Sequence, residues 1–215
     1  MVTRASLSQE RSRLRRDELL AAAIELFAEG GSRAITHRAV AARAGLPSAT
    51  TTYYFESIDE LIREALGSHI DQWTRDLEAL SAVDLDIEVS LDDASQFISH
   101  IFSARGPEVA ALELAIFLAA ARAPELRHAA AHAIRAFEGL TLRMLNRVGV
   151  HDADMLAASI VTLIAGTAVR RQSGLHTEHE EARLLTAAIR NLVAAHALGA
   201  DGVDRTLAKL SEKAK

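Results

Sequence analysis

What most constrains this chain is how little interrupts its helical pattern. Only 3 Pro and 11 Gly break 215 residues, and between them apolar side chains recur every three or four positions. One such stripe, Ile58, Leu61, Ile62, Ala65, Leu66, Ile70, Trp73, Leu77 and Leu80, keeps to one helix face for about six turns. Strands favour β-branched and aromatic residues, and aromatics are only 4% here. The expectation is an all-α fold.

The spacing predicts helices over 12–29, 37–44, 48–54, 57–80, 91–104, 107–122, 124–148, 152–172 and 178–198. Gly30-Gly31, Gly45, Gly149, Gly174 and Gly199 sit where helices should stop, and Pro107 suits a first turn. Thr36 is a natural N-cap, and Ser57 with Glu60 reads as a capping box. Residues 81–90 read as an acidic linker; Leu85, Ile87 and Val89 alternate, but a lone strand would have nothing to pair with. A head of residues 1–60, a body of 61–200 and a tail of 201–215 follow; the tail has room for one short further helix, and its end, with Lys209, Lys213 and Lys215, is expected to fray.

Charge separates the head from the rest. Up to Phe55 the chain carries Arg4, Arg11, Arg13, Arg15, Arg16, Arg33, Arg38 and Arg43 against five acidic residues, while the whole chain is at -5. A basic head on an acidic body points to a polyanion met by the head alone. No Cys is present, which excludes disulfides, thiolate metal sites and a catalytic thiol. No apolar segment follows the Arg-rich start, and the uncharged run from Met155 to Val169, about 15 residues, falls short of the roughly 20 that span a bilayer. A cytoplasmic protein with no membrane contact is expected.

Two short helices joined near Gly45 have the proportions of a helix-turn-helix, and a helix fits the DNA major groove. The stretch from Ile35 to Leu61, ITHRAVAARAGLPSATTTYYFESIDEL, resembles the N-terminal domain of the TetR family of transcriptional regulators. Its Ala-Gly-Leu turn, Tyr-Tyr-Phe end and Ser-x-Asp-Glu-Leu helix start carry the likeness, which reaches upstream through 19–31 and covers about the first third of the chain. The resemblance implies double-stranded DNA as partner, bound as a palindromic operator. Thr36, His37 and Arg38 would open the second helix beside it, with Arg38 a candidate for a bidentate contact to guanine. Ser48, Ala49 and Tyr53 would face base edges, and Thr50, Thr52 and Tyr54 the phosphates or the layer behind them. The chain departs from the family pattern at Ala49, where Gly is frequent, at Thr52, where Tyr is frequent, and at Ile58, where Lys commonly anchors a phosphate.

The resemblance also implies a repressor with a ligand-sensing, dimerising body that needs no cofactor. His69, Trp73, Phe97, Ile101, Phe117, Phe137 and Met144 lie on helical stripes and would line a pocket for a small, largely apolar effector. The helices over 152–172 and 178–198 are Ala-rich on more than one face. Ala158, Val161, Ala165, Ala188, Leu192 and Ala195 are the expected homodimer interface.

Rival readings are a helical metalloenzyme and a helical adaptor with a degenerate head. Glu125, His128 and His132 have metal-ligand spacing, but the two imidazoles fall opposite the apolar stripe, beside Arg135. His176 and His179 sit in a loop, and there is no His-Glu-x-x-His, glycine-rich phosphate loop or nucleophile elbow. The sequence reads as neither a metal site nor an enzyme. Thr52 and Ile58 are the residues that favour the adaptor.

Overall fold

The computed structural model of the chain describes residues 4–82 and 106–213, and every described element is helical. The helices are α1 (Arg4–Gly30), α2 (His37–Arg43), α3 (Ala49–Tyr54), α4 (Ile58–Ala82), α5 (Pro107–Ala120), α6 (Arg127–Arg147), α7 (Asp154–Arg171) and α8 (Glu178–Lys213). The helix expected over 91–104, with Phe97 and Ile101, lies outside the described residues, as does the linker from 83 to 90.

α1 starts eight residues before the sequence-based estimate of 12. Positions 4–11 contain no Pro or Gly, so nothing stops the helix, although the apolar stripe that marks its buried face begins only at Leu19. A 3-10 turn, Gly31–Ala34, then delivers the buried Ile35 to the start of α2. Thr36 caps that helix, its Oγ1 accepting from the Ala39 N–H at 3.1 Å. At the other end Gly45 sits at φ 66, where L side chains are strained. Leu46 N–H donates to Ala41 O at 2.8 Å and Gly45 N–H to Ala42 O at 3.2 Å, the paired bonds of a Schellman stop. This turn ends α2 and redirects the chain into α3.

The capping box of α4 forms in altered register. Ser57 Oγ accepts from Glu60 N–H at 3.1 Å, but the Glu60 carboxylate reaches one residue further back, to Glu56 N–H at 2.6 Å. α8 has a reciprocal box that the sequence reading missed. Thr177 Oγ1 accepts from Glu180 N–H at 3.3 Å, and Glu180 accepts from Thr177 N–H at 2.8 Å. That hydrogen bonding from Thr177 holds the Glu180 carboxyl below its ordinary pKa. The expected stop at Gly199 is a break in helical geometry, at φ 68 and ψ 168, after which helical residues run on to Lys213. A 3-10 turn, Pro124–Leu126, precedes α6.

The chain divides into two compact units. The first is Met1–Trp73 with Ala115–Ala133, and the second is Thr74–Leu114 with Ile134–Lys215. The first therefore takes in more than residues 1–60. Leu61, Ala65, Leu66 and Ile70 of α4 are buried, and the Leu126 side chain lies so close to Gly67 that an added Cβ would stand 3.3 Å from it. Leu19, Leu20, Ala22, Ala23, Leu26, Phe27, Ile35, Val40, Ala41 and Phe55 are its buried apolar residues before position 60. Each large side chain among them contributes about 1.5–3 kcal/mol on burial. The second unit is built on α7 against α8. Leu156, Ala157 and Ile160 meet Ala182, Leu185, Ile189 and Val193, with Leu145 and Ala153 in the same cluster. Among the described residues no helix is long and apolar enough to cross a membrane.

Candidate nucleic-acid interface

α2 and α3 pack on one another and α2 packs on α1, so the two short helices rest on a long one. Thr51 is fully buried at their joint. Its hydroxyl donates to Ser48 O at 3.0 Å, which leaves its neighbours on α3 to face outward. Ala49, Thr52 and Tyr53 are exposed, Tyr53 to 80%, as is Ser48 just before the helix. Thr50 is half-buried. Thr52 Oγ1 donates to Ala49 O at 3.1 Å. On α2, Arg38 is exposed and His37 half-buried. Thr36 is exposed too; its hydroxyl accepts one bond as the cap and still has a proton to donate.

The two tyrosines separate. They touch edge to face, with ring centroids 4.9 Å apart. Tyr53 points to solvent, whereas the half-buried Tyr54 accepts a hydrogen bond from Ser12 Oγ at 3.2 Å. Tyr54 thus ties the end of α3 to α1. Next to it Phe55 is buried to 1% exposure, with the Arg16 guanidinium 5.1 Å above its ring. Arg16 in turn pairs with Glu64 of α4. The sequence reading missed this strut, because nothing in the spacing of Ser12 or Arg16 announces contacts 42 and 48 residues away.

Arg43, at the far end of α2, is held by Glu29 at 2.8 Å and Glu25 at 3.1 Å, both on α1. The hydrogen bond to Glu29, then that to Glu25, raises the Arg43 pKa, and the Glu29 carboxyl is lowered by the same contact. Arg43 is therefore a structural charge, whereas Arg38 has no acidic partner among the described residues. Ile58 at the start of α4 is half-buried and adds no charge.

The expected pocket residues fall in both units. His69, Trp73 and Phe117 belong to the first, and the Trp73 and Phe117 rings meet edge to face at 5.6 Å. Phe137 and Met144 belong to the second, and both are half-buried. A groove of about 740 Å³ runs along the first half of α8, lined by His176, Glu180, Arg183, Leu184, Arg190 and Asn191 among others. None of the expected pocket residues is among its described lining. Of the expected dimer residues, Val161 is 5% exposed, and Leu192 packs against the α7–α8 core, so these two side chains are engaged within the chain. Ala165 is exposed, and Ala158, Ala188 and Ala195 are half-buried. His128 and His132 are exposed, Glu125 pairs with Arg63 at 3.0 Å, and no metal-binding group of three or more ligands occurs among the described residues.

Residues 19–65 match the family profile described as bacterial regulatory proteins, tetR family, and residues 89–195 match that of the tetracyclin repressor-like C-terminal domain. A protein of Streptomyces coelicolor assigned to transcriptional regulation is 27% identical, with a TM-score of 0.60 over 84% of this chain and 99% of that one. A TetR-family protein of Mesorhizobium loti shares the fold at a TM-score of 0.65 and 19% identity, over 86% and 97% of the two chains. The multidrug binding protein EbrR, in complex with proflavin, is 25% identical over 80% of this chain and 98% of its own, at a TM-score of 0.54. A comparison with curated proteins finds no match.

The Arg43 cluster sets a pH dependence whose sign is fixed. A carboxyl whose folded pKa is lowered adds stability above its unfolded pKa, and that stability is lost as pH falls through the folded value. Arg43→Ala should lower Tm slightly at neutral pH, and the gap to wild type should close as the solution is taken below the ordinary glutamate range. Thermal melts of both proteins across that range read it directly; a gap that persists in acid would assign the effect to lost packing of the Arg43 stem.

Proposed function

The chain belongs to the TetR family of bacterial regulatory proteins, and on that premise we propose how this DNA-binding regulator works: as a repressor that holds a palindromic operator with two copies of its head and is released by a small, largely apolar effector. The observation that carries this reading is the exposed α2–α3 surface, with Arg38, Ser48, Ala49, Thr52 and Tyr53 turned to solvent while Thr51 and Phe55 anchor it from behind. On this surface Arg38 reads a guanine edge, and Ser48, Ala49 and Tyr53 meet bases. Thr36, His37, Thr50 and Thr52 contact the backbone, and Tyr54, tied to Ser12 of α1, supports them from behind. Members of the family are in general non-enzymatic, and we assign the chain no catalysis.

We place the dimer on α7 and α8. Met155, Ser159, Thr162, Gly166 and Val169 form one exposed stripe, with Ala158 and Ala165 at its edge. Met155 is 82% exposed and Val169 52%. On α8 the exposed stripe is Leu184, Ala187, Asn191 and Leu198, flanked by Ala188 and Ala195. Small and apolar side chains exposed on two adjacent helices fit burial by the same helices of a second copy around a two-fold axis. That pairing would also set the half-site separation of about 34–36 Å, or a multiple of it. The multidrug binding protein EbrR was crystallised with proflavin. Here we assign the effector to the aromatic pair of Trp73 and Phe117, whose rings meet edge to face, with His69 one turn from Trp73 on the same helix.

Three experiments test these assignments. Arg38→Ala should cost about 1–3 kcal/mol of operator affinity and relax specificity at one base pair. Equal loss on cognate and random duplexes would make Arg38 a phosphate contact. Ala165→Glu leaves the single chain intact, because the position is exposed, but puts a charge into the proposed interface. It should yield folded monomers in sedimentation, and a dimer of unchanged strength would move the interface elsewhere. Trp73 is the one Trp of the chain, so its emission should change over the effector concentrations that release DNA. Trp73→Leu should weaken that release more than it weakens operator binding; an unaltered response would remove Trp73 from the pocket.

A further inference from the structure

Six arginines of the first unit fall into two classes. Arg16, Arg43 and Arg63 are each neutralised, by Glu64, by Glu25 and Glu29, and by Glu125. Arg11, Arg13 and Arg15 are exposed, and their side chains make no hydrogen bond or ion pair among the described residues. They stand on one stretch of α1, inside the helix rather than on a loose arm. That stretch is fixed against the end of α3. Ser12 donates to the Tyr54 hydroxyl at 3.2 Å, and Arg16 lies over the Phe55 ring at 5.1 Å. Ser12 and Arg16 are one turn apart and define the inward seam. Arg11 and Arg15 are each one residue before a seam position, so at about 100° per residue they lie on the same flank, about 40° apart around the axis. Their side chains start about 6 Å from one another. Arg13 follows Ser12 and falls on roughly the opposite flank.

We propose that Arg11 and Arg15 form a second DNA-contacting strip, which grips the sugar-phosphate backbone of a duplex beside the groove entered by α3. The inference rests on the regulator reading above and adds a named partner surface to it. Two exposed, unneutralised guanidinium groups one turn apart complement a regular line of phosphates. α4, by contrast, opens on Ile58, Asp59 and Glu60 and brings no cation to the interface. The neutralised arginines brace the head, and the strip of free ones, held in register by Ser12 and Arg16, meets the polyanion.

Counterion release makes the strip countable. The slope of log affinity against log salt falls by about 0.9 for each phosphate contact removed, so Arg11→Ala with Arg15→Ala should lower its magnitude by roughly 1.8 per head. Binding is measured between low and physiological salt on a short duplex enriched from a random-sequence pool by the wild-type protein. Circular dichroism checks that α1 persists, as expected because Ala favours helix. The double Arg→Lys variant should keep the wild-type slope, since the charge remains, and Arg13→Ala should leave it unchanged. An unaltered slope in the double alanine variant overturns the strip and leaves the regulator reading standing. An Arg13→Ala loss as large as that of one strip residue overturns the assignment to one flank in favour of a diffuse basic arm. A wild-type protein that enriches and binds no duplex overturns the regulator reading together with the strip.

Discussion

A helix of six residues has no stability of its own, and the orientation of α3 depends on what holds its ends. At its start the Thr51 hydroxyl closes on Ser48 O, inside the joint with α2. At its end Phe55 is driven into the core, and the Arg16 guanidinium covers its ring while pairing with Glu64. One aromatic side chain thus ties α1, α3 and α4 to a common point. Everything a DNA groove could meet, from Arg38 to Tyr53, is positioned relative to that point. The Tyr54 hydroxyl accepts from Ser12 beside it, which is why the two adjacent tyrosines have different fates.

The head has a surplus of positive charge, but the surplus is not uniform. Ion pairs with Glu25, Glu29 and Glu64 consume the guanidinium groups nearest the helix contacts, and they leave Arg11, Arg13, Arg15, Arg33 and Arg38 in solvent. An exposed ion pair contributes little to stability. Its consequence here is spatial: it removes a cation from the set available to a polyanion. Net charge by sequence alone overstates how much positive charge the head leaves unpaired, and only the pairing tells which arginines remain.

The second unit follows a different rule. Its core is aliphatic, with Leu, Ile, Val and Ala interleaved between α7 and α8. The outer stripes carry Met155, Val169, Leu184 and Leu198 into solvent. The Ala-rich faces seen in sequence therefore split into an inner side that is satisfied within the chain and an outer side that is not. Val161 and Leu192 belong to the inner side, and Ala165 belongs to the outer one.

The sequence by itself determined the helical class, because local periodicity and a scarcity of breakers act within a few residues. It also determined the turn at Gly45, where only a residue tolerant of positive φ ends α2 in this way, and the cap at Thr36. The family was legible from the residues between Ile35 and Leu61, whose spacing is local as well. What only the tertiary structure decided is every pairing across long separations: Ser12 with Tyr54, Arg16 with Glu64, Trp73 with Phe117. The split of the Ala-rich stripes into buried and exposed sides was decided there too. Helical periodicity says that a side chain lies on an apolar face. It does not say which of several apolar faces finds a partner inside the chain, because that depends on how close-packed helices share a limited interior volume.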